Sequence, residues 1–190
     1  MPQIKIISRA GARDFILQNH YARTTPSTVK VSLGWLEGDR LVGVGLWGYG
    51  VRPLHTVKKL FPSLGVENYL ELNRLCLLDE LPRNSESQFL SACASEILKL
   101  FPQVKVLFSW ADGLRGKPGF VYQAASWLYG GFIKSEFYAA EDGEVIHPRL
   151  LISRYGTRAV WKELGLRRIF GYQFRYCKFL CSHKERKQLL

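Results

Sequence analysis

Residues 109–132 constrain the fold of this chain more than any other stretch. They read Ser-Trp-Ala-Asp-Gly-Leu-Arg-Gly-Lys-Pro-Gly-Phe-Val-Tyr-Gln-Ala-Ala-Ser-Trp-Leu-Tyr-Gly-Gly-Phe. An apolar strand ends on Asp112, a loop carries Gly113, Gly116 and Gly119, and an aromatic helix over Gly119–Tyr129 is closed by Gly130 and Gly131. A carboxylate at the carboxyl end of a strand, facing a glycine-rich loop, is where sheets flanked by helices carry chemistry. Asp112 is therefore a candidate to act as a base or to orient a substrate amine. Tyr122, across the loop, is a candidate to donate a proton or to stack on a base. The same residues also fit a plainer role, with Asp112 capping a turn and Tyr122 packing against Phe108.

Around this unit the hydrophobic periodicities are simple. Gln3–Ser8 alternates as a strand, and Arg9–Tyr21 follows as a helix with Phe15, Ile16 and Leu17 on its apolar side. Val31–Leu36 and Leu41–Tyr49 flank the hairpin signal Glu37-Gly38-Asp39-Arg40. Gly43, Gly45, Gly48 and Gly50 thin the second of these strands, so a close approach to its backbone is expected. A short helix over His55–Phe61 comes next, then a strand over Tyr69–Leu78 bearing Glu71, Asn73 and Arg74. A helix over Ser85–Phe101, with a Ser85/Gln88 capping box, and a strand over Val104–Trp110 lead into the glycine loop. Beyond the loop, Phe132–Ala140 and Glu144–Ile152 pair as strands across Glu141-Asp142-Gly143. A helix over Arg154–Leu164, a strand over Tyr172–Ser182 and a mobile tail complete the chain. The order is β-α-β-β-α-β-α-β-α-β-β, then α-β. It is similar to the GNAT acyltransferase architecture, a mixed, mostly antiparallel sheet flanked by helices whose two central strands splay to admit acyl-coenzyme A. The expected fold class is α+β, in one domain over residues 1–190 with a basic C-terminal helix–strand extension.

Charge is the next constraint. Residues 149–190 hold eleven Lys/Arg against two Glu, which is +9 of the net +11. Arg149, Arg154, Arg158, Arg167, Arg168 and Arg175 belong to this set, and Lys117 adds a cation in the glycine loop. A near-neutral body with a basic C-terminal face points to a polyanion, and the planar Arg fork suits phosphate. A solvated basic tail is the plainer alternative. No run reaches the roughly 18 apolar residues of a membrane helix, and the start has no signal-peptide pattern. The four cysteines sit singly among apolar neighbours, as reduced thiols do. A cytoplasmic protein without a membrane partner is expected. Cys177, Cys181 and His183 lack zinc-finger spacing, so no metal ligand is assigned, and a metal requirement stays open.

Three further groups are candidates. Arg83, Asn84, Ser85 and Ser87 lie where a strand turns into a helix N-terminus, a place that attracts anions through free amides and the helix dipole. His20 and Tyr21 end the first helix and precede a polar loop. Trp47 and Tyr49 are candidates to wall a base pocket, although tryptophans are core residues first.

Taken as a set, these motifs resemble a known family. Glu71-Leu72-Asn73-Arg74-Leu75, Arg83-Asn84-x-x-Ser87-x-Phe89-Leu90, Ser109-x-Ala111-Asp112, Gly116-x-x-Gly119-x-x-Tyr122-Gln123-Ala124 and Tyr129-x-Gly131, with His20-Tyr21 upstream, resemble the bacteriophage Mom proteins over residues 18–182. The resemblance implies a GNAT-like fold and transfer of a carbamoylmethyl group to the N6 amine of adenine in phage DNA. That modification protects the genome from host restriction nucleases. It places Arg74, Ser87, Asp112 and Tyr122, with His20 and Tyr21, on the family's functional motif. The commoner family loop has Gly-His where this chain has Gly116-Lys117.

The resulting expectation is a DNA adenine-modifying transferase. His20, Tyr21, Arg74, Asp112 and Tyr122 are its catalytic candidates. Arg83, Asn84, Ser85 and Ser87 would hold acetyl-coenzyme A or a related acyl or glycyl donor, although the Gly-x-Gly of coenzyme A loops is missing. Double-stranded DNA is the expected partner, and a homodimer is allowed. The N6 amine is paired and conjugated, so the base is expected to flip out. Two rivals remain: an acetyl-coenzyme A N-acetyltransferase acting on a protein or small amine, and a non-catalytic DNA-binding protein on the same scaffold.

Overall fold

The computed structural model describes residues 3–21, 24–50 and 57–190, the side chains of Arg149 and Ser153 excepted. It holds one eight-stranded sheet. Its strands are β1 (Gln3–Ile6), β2 (Val29–Glu37), β3 (Arg40–Gly48), β4 (Tyr69–Leu77), β5 (Val106–Asp112), β6 (Leu128–Ala139), β7 (Val145–Ile146) and β8 (Arg167–Phe179). The spatial order is β1-β2-β3-β4-β5-β8-β6-β7. Neighbours are antiparallel except β4 and β5, which run parallel. The helices are α1 (Arg9–Asn19), α2 (Ser85–Leu100), α3 (Phe120–Ala124), α4 (Pro148–Tyr155) and α5 (His183–Leu189).

The two sheet faces are covered differently. Phe89, Leu90, Cys93, Ala94 and Ile97, spaced three and four apart on α2, form one apolar stripe. They pack with Leu33, Trp47, Leu70, Leu72 and Leu107. On the other face, α1 sets Ala12, Phe15 and Ile16 against Val44, Leu46 and Cys76. Ser8 starts α1 by accepting a hydrogen bond from the Gly11 amide at 3.1 Å, a cap worth about 1 kcal/mol. The helix stops at Asn19, and His20 takes extended backbone that turns the chain toward the sheet.

Several elements differ from the sequence expectation. The helix expected over Gly119–Tyr129 ends at Ala124, because Ser126 is left-handed (φ +60°) and Leu128 already pairs with Cys177 in β8. Gly130-Gly131 therefore closes no helix. It forms a bulge in β6, where the step Tyr129–Phe132 faces Tyr176–Phe174 and Gly131 has φ +90°. The strand expected over Glu144–Ile152 is cut to two residues because Pro148 opens α4. Gly156 (φ +73°) ends that helix, so Arg154–Leu164 is not one helix but the end of α4 and a short 3-10 turn. The last strand begins at Arg167, and the tail folds as α5 under a Ser182/Glu185 capping box. At α2 the N-cap is Asn84, so the Ser85/Gln88 box does not form. The helix expected over His55–Phe61 starts outside the described residues.

Candidate active site

The site is built on a gap in the sheet. β4 and β5 pair only over Tyr69–Glu71 and Val106–Phe108, and beyond that they part. A bulge then re-aims β4. One step on β3, Leu46 to Trp47, faces two on β4, Arg74 to Leu72, with Asn73 as the extra residue. Side chains alternate along a strand, so one extra residue exchanges the faces. Leu70 and Leu72 point to α2, whereas Arg74 and Cys76 point to α1.

Arg74 thereby meets the chain leaving α1. Its Nε donates to the Thr24 carbonyl and Nη2 to the Thr24 hydroxyl, both at 3.1 Å, and Nη1 to the Asn73 carbonyl at 2.7 Å. His20 is buried and stacks on Tyr21 with ring centroids 4.2 Å apart. The glycine loop closes over the pair. Arg115 Cζ lies 4.6 Å and Lys117 Nζ 4.9 Å from the Tyr21 ring centroid. Asp112 Oδ1 accepts from the Leu114 amide at 3.1 Å, and Oδ2 is 3.6 Å from Arg115 Nε. Asp112 does cap a turn, and that turn carries the cations to Tyr21.

Tyr122 enters the gap from the α2 side. Its phenol oxygen lies 2.8 Å from the Ser109 hydroxyl, which donates to it. Its ring packs on Tyr176 (5.1 Å) and Trp127 (5.4 Å) rather than on Phe108, which belongs to the opposite face with Phe61 and Tyr69. Tyr176 orders the loop as well, donating to the Pro118 carbonyl at 2.6 Å and accepting from Gln123 Nε2 at 3.0 Å. His20, Tyr21, Arg74, Asp112, Lys117 and Tyr122 are thus gathered in one place. Ser109, Thr24, Arg115 and Tyr176 join them. Ser109 stood in the family motif without a role, and the other three stood out by no local pattern.

The electrostatics are those of a cationic cleft. Burial first, then the Arg74, Lys117 and Arg115 charges, hold the His20 imidazole down at about 4, so it is neutral at pH 7. Burial, then the Asp112 carboxylate, raises the Tyr21 phenol. Burial pushes the Tyr122 phenol up to about 12, against the pull of the Ser109 hydrogen bond. Both phenols are therefore proton donors at neutral pH, and neutral His20 has a lone pair to offer or hold.

The start of α2 lies at the end of the β4–α2 connection. Asn84 is left-handed (φ +71°) and makes no side-chain cap; the Ser85 amide donates to the Pro82 carbonyl at 3.2 Å, and no cap engages the Glu86 and Ser87 amides. Arg83 and Asn84 are exposed. Ser85 is buried and donates to the Pro82 carbonyl at 2.6 Å, and Ser87 donates to the Asn84 carbonyl at 2.9 Å. Both serine protons are committed. Trp47 is fully buried against Trp127, so it walls no pocket, and Tyr49 meets Tyr69 edge to face. The expected close approach to the β3 glycines comes from the protein itself, with Trp47 and Phe89 against Gly45 and the Thr28 carbonyl against Gly48.

The basic candidates divide. Arg154, Arg158, Arg167 and Arg168 are exposed. Arg175 is not a free cation. It is buried over Trp110, and its Nε holds the Gly130 carbonyl of the β6 bulge at 2.8 Å. The Arg149 side chain lies outside the described atoms.

A mixed sheet parted between two parallel central strands, with polar groups converging on the gap, defines a protein of the GNAT acetyltransferase fold. Solved structures share it. Arabidopsis thaliana NAA60 in complex with a bisubstrate analogue superposes with a TM-score of 0.60 over 94% of this chain and 98% of its own, at 9% identity. A Bacillus subtilis acetyltransferase in complex with CoA gives 0.53 over 95% and 100%, at 11% identity. Within that fold the chain belongs to the Mom protein family, whose model matches residues 2–190. It is 35% identical, over 98% of its length and 78% of the relative's, to the methylcarbamoylase Mom of Escherichia phage Mu.

Proposed function

We propose that this chain is a transferase that carbamoylmethylates the N6 amine of adenine in DNA and so shields phage DNA from restriction nucleases. The supporting observation is the meeting of His20, Tyr21, Arg74, Asp112 and Tyr122 around one gap in a member of the Mom family. Asp112 handles the proton of the amine or orients it. Tyr122, protonated at neutral pH, donates a proton or walls the base. Arg74 holds the Thr24 loop beside them, and neutral His20 fixes Tyr21.

The donor set fits an anionic linker in part. The Glu86 and Ser87 amides of α2 and the Arg83 guanidinium supply the hydrogen bonds, while the Ser85 amide and the Ser85 and Ser87 hydroxyls are spent within the protein. An acyl-type donor bound there would supply the carbon group that is transferred. Exposed Lys117, Arg154, Arg158, Arg167 and Arg168 meet DNA phosphates.

The test is nucleoside mass spectrometry on DNA from cells expressing the chain or its Asp112→Asn variant. A deoxyadenosine adduct of carbamoylmethyl mass, absent with the variant, is the expected result. Unmodified DNA from folded wild-type protein, with acetyl-coenzyme A turnover on small amines, would replace this reading by that of an ordinary acetyltransferase.

A further inference from the structure

β6 and β8 carry a face of rings left open to water. Their register puts Phe132 opposite Phe174, Lys134 opposite Tyr172, Glu136 opposite Phe170 and Tyr138 opposite Arg168, and such partners share one side of an antiparallel pair. Phe132, Phe170 and Tyr172 are 57%, 51% and 49% exposed. A contiguous group of exposed rings is a contact surface more often than a packing by-product. Phe132 meets Tyr172 edge to face at 5.2 Å. Lys134 Nζ lies 4.7 Å and Arg168 Cζ 5.6 Å from the Phe170 ring centroid.

The strip is joined to the active site by a chain of ring contacts, whose inner members Tyr176 and Tyr122 are buried. Tyr122 stacks on Tyr176, Tyr176 meets Tyr129 at 5.8 Å, Tyr129 meets Phe174 at 6.4 Å, and Phe174 is the cross-strand partner of Phe132. At the far end Tyr138 is covered by Trp161, and the charges of Arg158 and Arg168 both reach it. Glu136, the acid on this face, is engaged by the Tyr138 hydroxyl at 2.5 Å and by Arg168 at 4.0 Å.

We infer that this strip is a stacking track for unpaired nucleic-acid bases, with Lys134, Arg158 and Arg168 meeting the phosphates beside it. The inference rests on the DNA reading above. Ring faces accept any base, and adjacent cations neutralise the backbone. An enzyme that draws a base out of a duplex orphans the base opposite it, and one that acts on an opened strand meets several unpaired bases; either needs such a surface.

The experiment is fluorescence polarisation of the full chain with a labelled thymidine-only oligonucleotide of about 20 nucleotides, long enough for several stacking positions. Phe132→Ala and Tyr172→Ala each weaken binding about tenfold, and Phe132→Trp does not. Melting temperatures stay near wild type, because both side chains are half exposed. Unchanged affinity in both alanine variants overturns the inference. Loss of self-association at unchanged oligonucleotide affinity also overturns it, and makes the strip a chain–chain interface. The adduct assay is separate. Oligonucleotide binding lost in the alanine variants, with no adduct from wild type, sinks the adenine reading and leaves the strip standing. The reverse pattern sinks only the strip.

Discussion

The Ser109 hydroxyl lies 2.8 Å from the Tyr122 phenol oxygen, at the point where β4 and β5 part. Ser109 donates, so the phenol keeps its own proton for whatever enters the gap. Ser109→Ala removes the group that aims Tyr122 without touching the ring. DNA modification falls about tenfold, the loss expected for one buried hydrogen bond. In a Tyr122→Phe background the same change has no further effect. Independent, multiplying losses in the double variant would separate the two residues.

His20 makes the fold acid-sensitive. Its folded pKa of about 4 lies below the unfolded value of 6.5, so below pH 6.5 the unfolded chain binds more protons. The stability it contributes is complete above pH 6.5 and is lost as the pH falls from there toward 4. Wild-type protein therefore loses more melting temperature between pH 7 and pH 5 than His20→Gln does. Parallel curves for the two proteins would mean that the imidazole is not held neutral.

Gly119 has no substitute. Its φ is +100°, and a Cβ there would enter the Tyr176 ring. Gly119→Ala breaks the stack that ties the loop to Tyr122, lowering both melting temperature and modification. Gly116→Ala, also left-handed (φ +65°) but in open space, costs about 1 kcal/mol or less. Equal effects of the two changes on melting would refute the steric account.

Arg175 and Arg158 carry the same charge and do different work. Arg175→Gln unties the Gly130 bulge and lowers the melting temperature, with the salt dependence of DNA binding unchanged. Arg158→Gln leaves melting unchanged and reduces the slope of log affinity against log salt by about one. A reduced slope for Arg175→Gln would return that residue to the DNA surface.

The sequence made the ends of the fold legible unevenly. β2, β3, β4 and α2 stand near their expected bounds, because the strands are apolar runs, β2 and β3 buried on both faces through their middles, and α2 buries one continuous stripe. The start of β6 was hidden because Trp127-Leu128-Tyr129 continues an apolar run that a helix or a strand can use equally, and Ser126 gives no local sign of its left-handed turn. In the site, Asp112 and Tyr122 were visible from the glycine loop between them, and His20, Tyr21 and Arg74 through family resemblance. Thr24 was not, and Ser109 stood in the family motif with no role, since both act through partners set by tertiary packing: Thr24 holds Arg74, 50 residues away, and Ser109 holds Tyr122. The bulge at Asn73 carries neither glycine nor proline to announce it.

The short pairing of β4 with β5 also decides from how many sides a reacting group is held. Here the sheet is a partition with a doorway, with Tyr122 entering from one room and Tyr21 standing in the other. A group lodged on the threshold is therefore touched from both rooms at once, so a change on either face of the sheet is felt by the same reacting atoms.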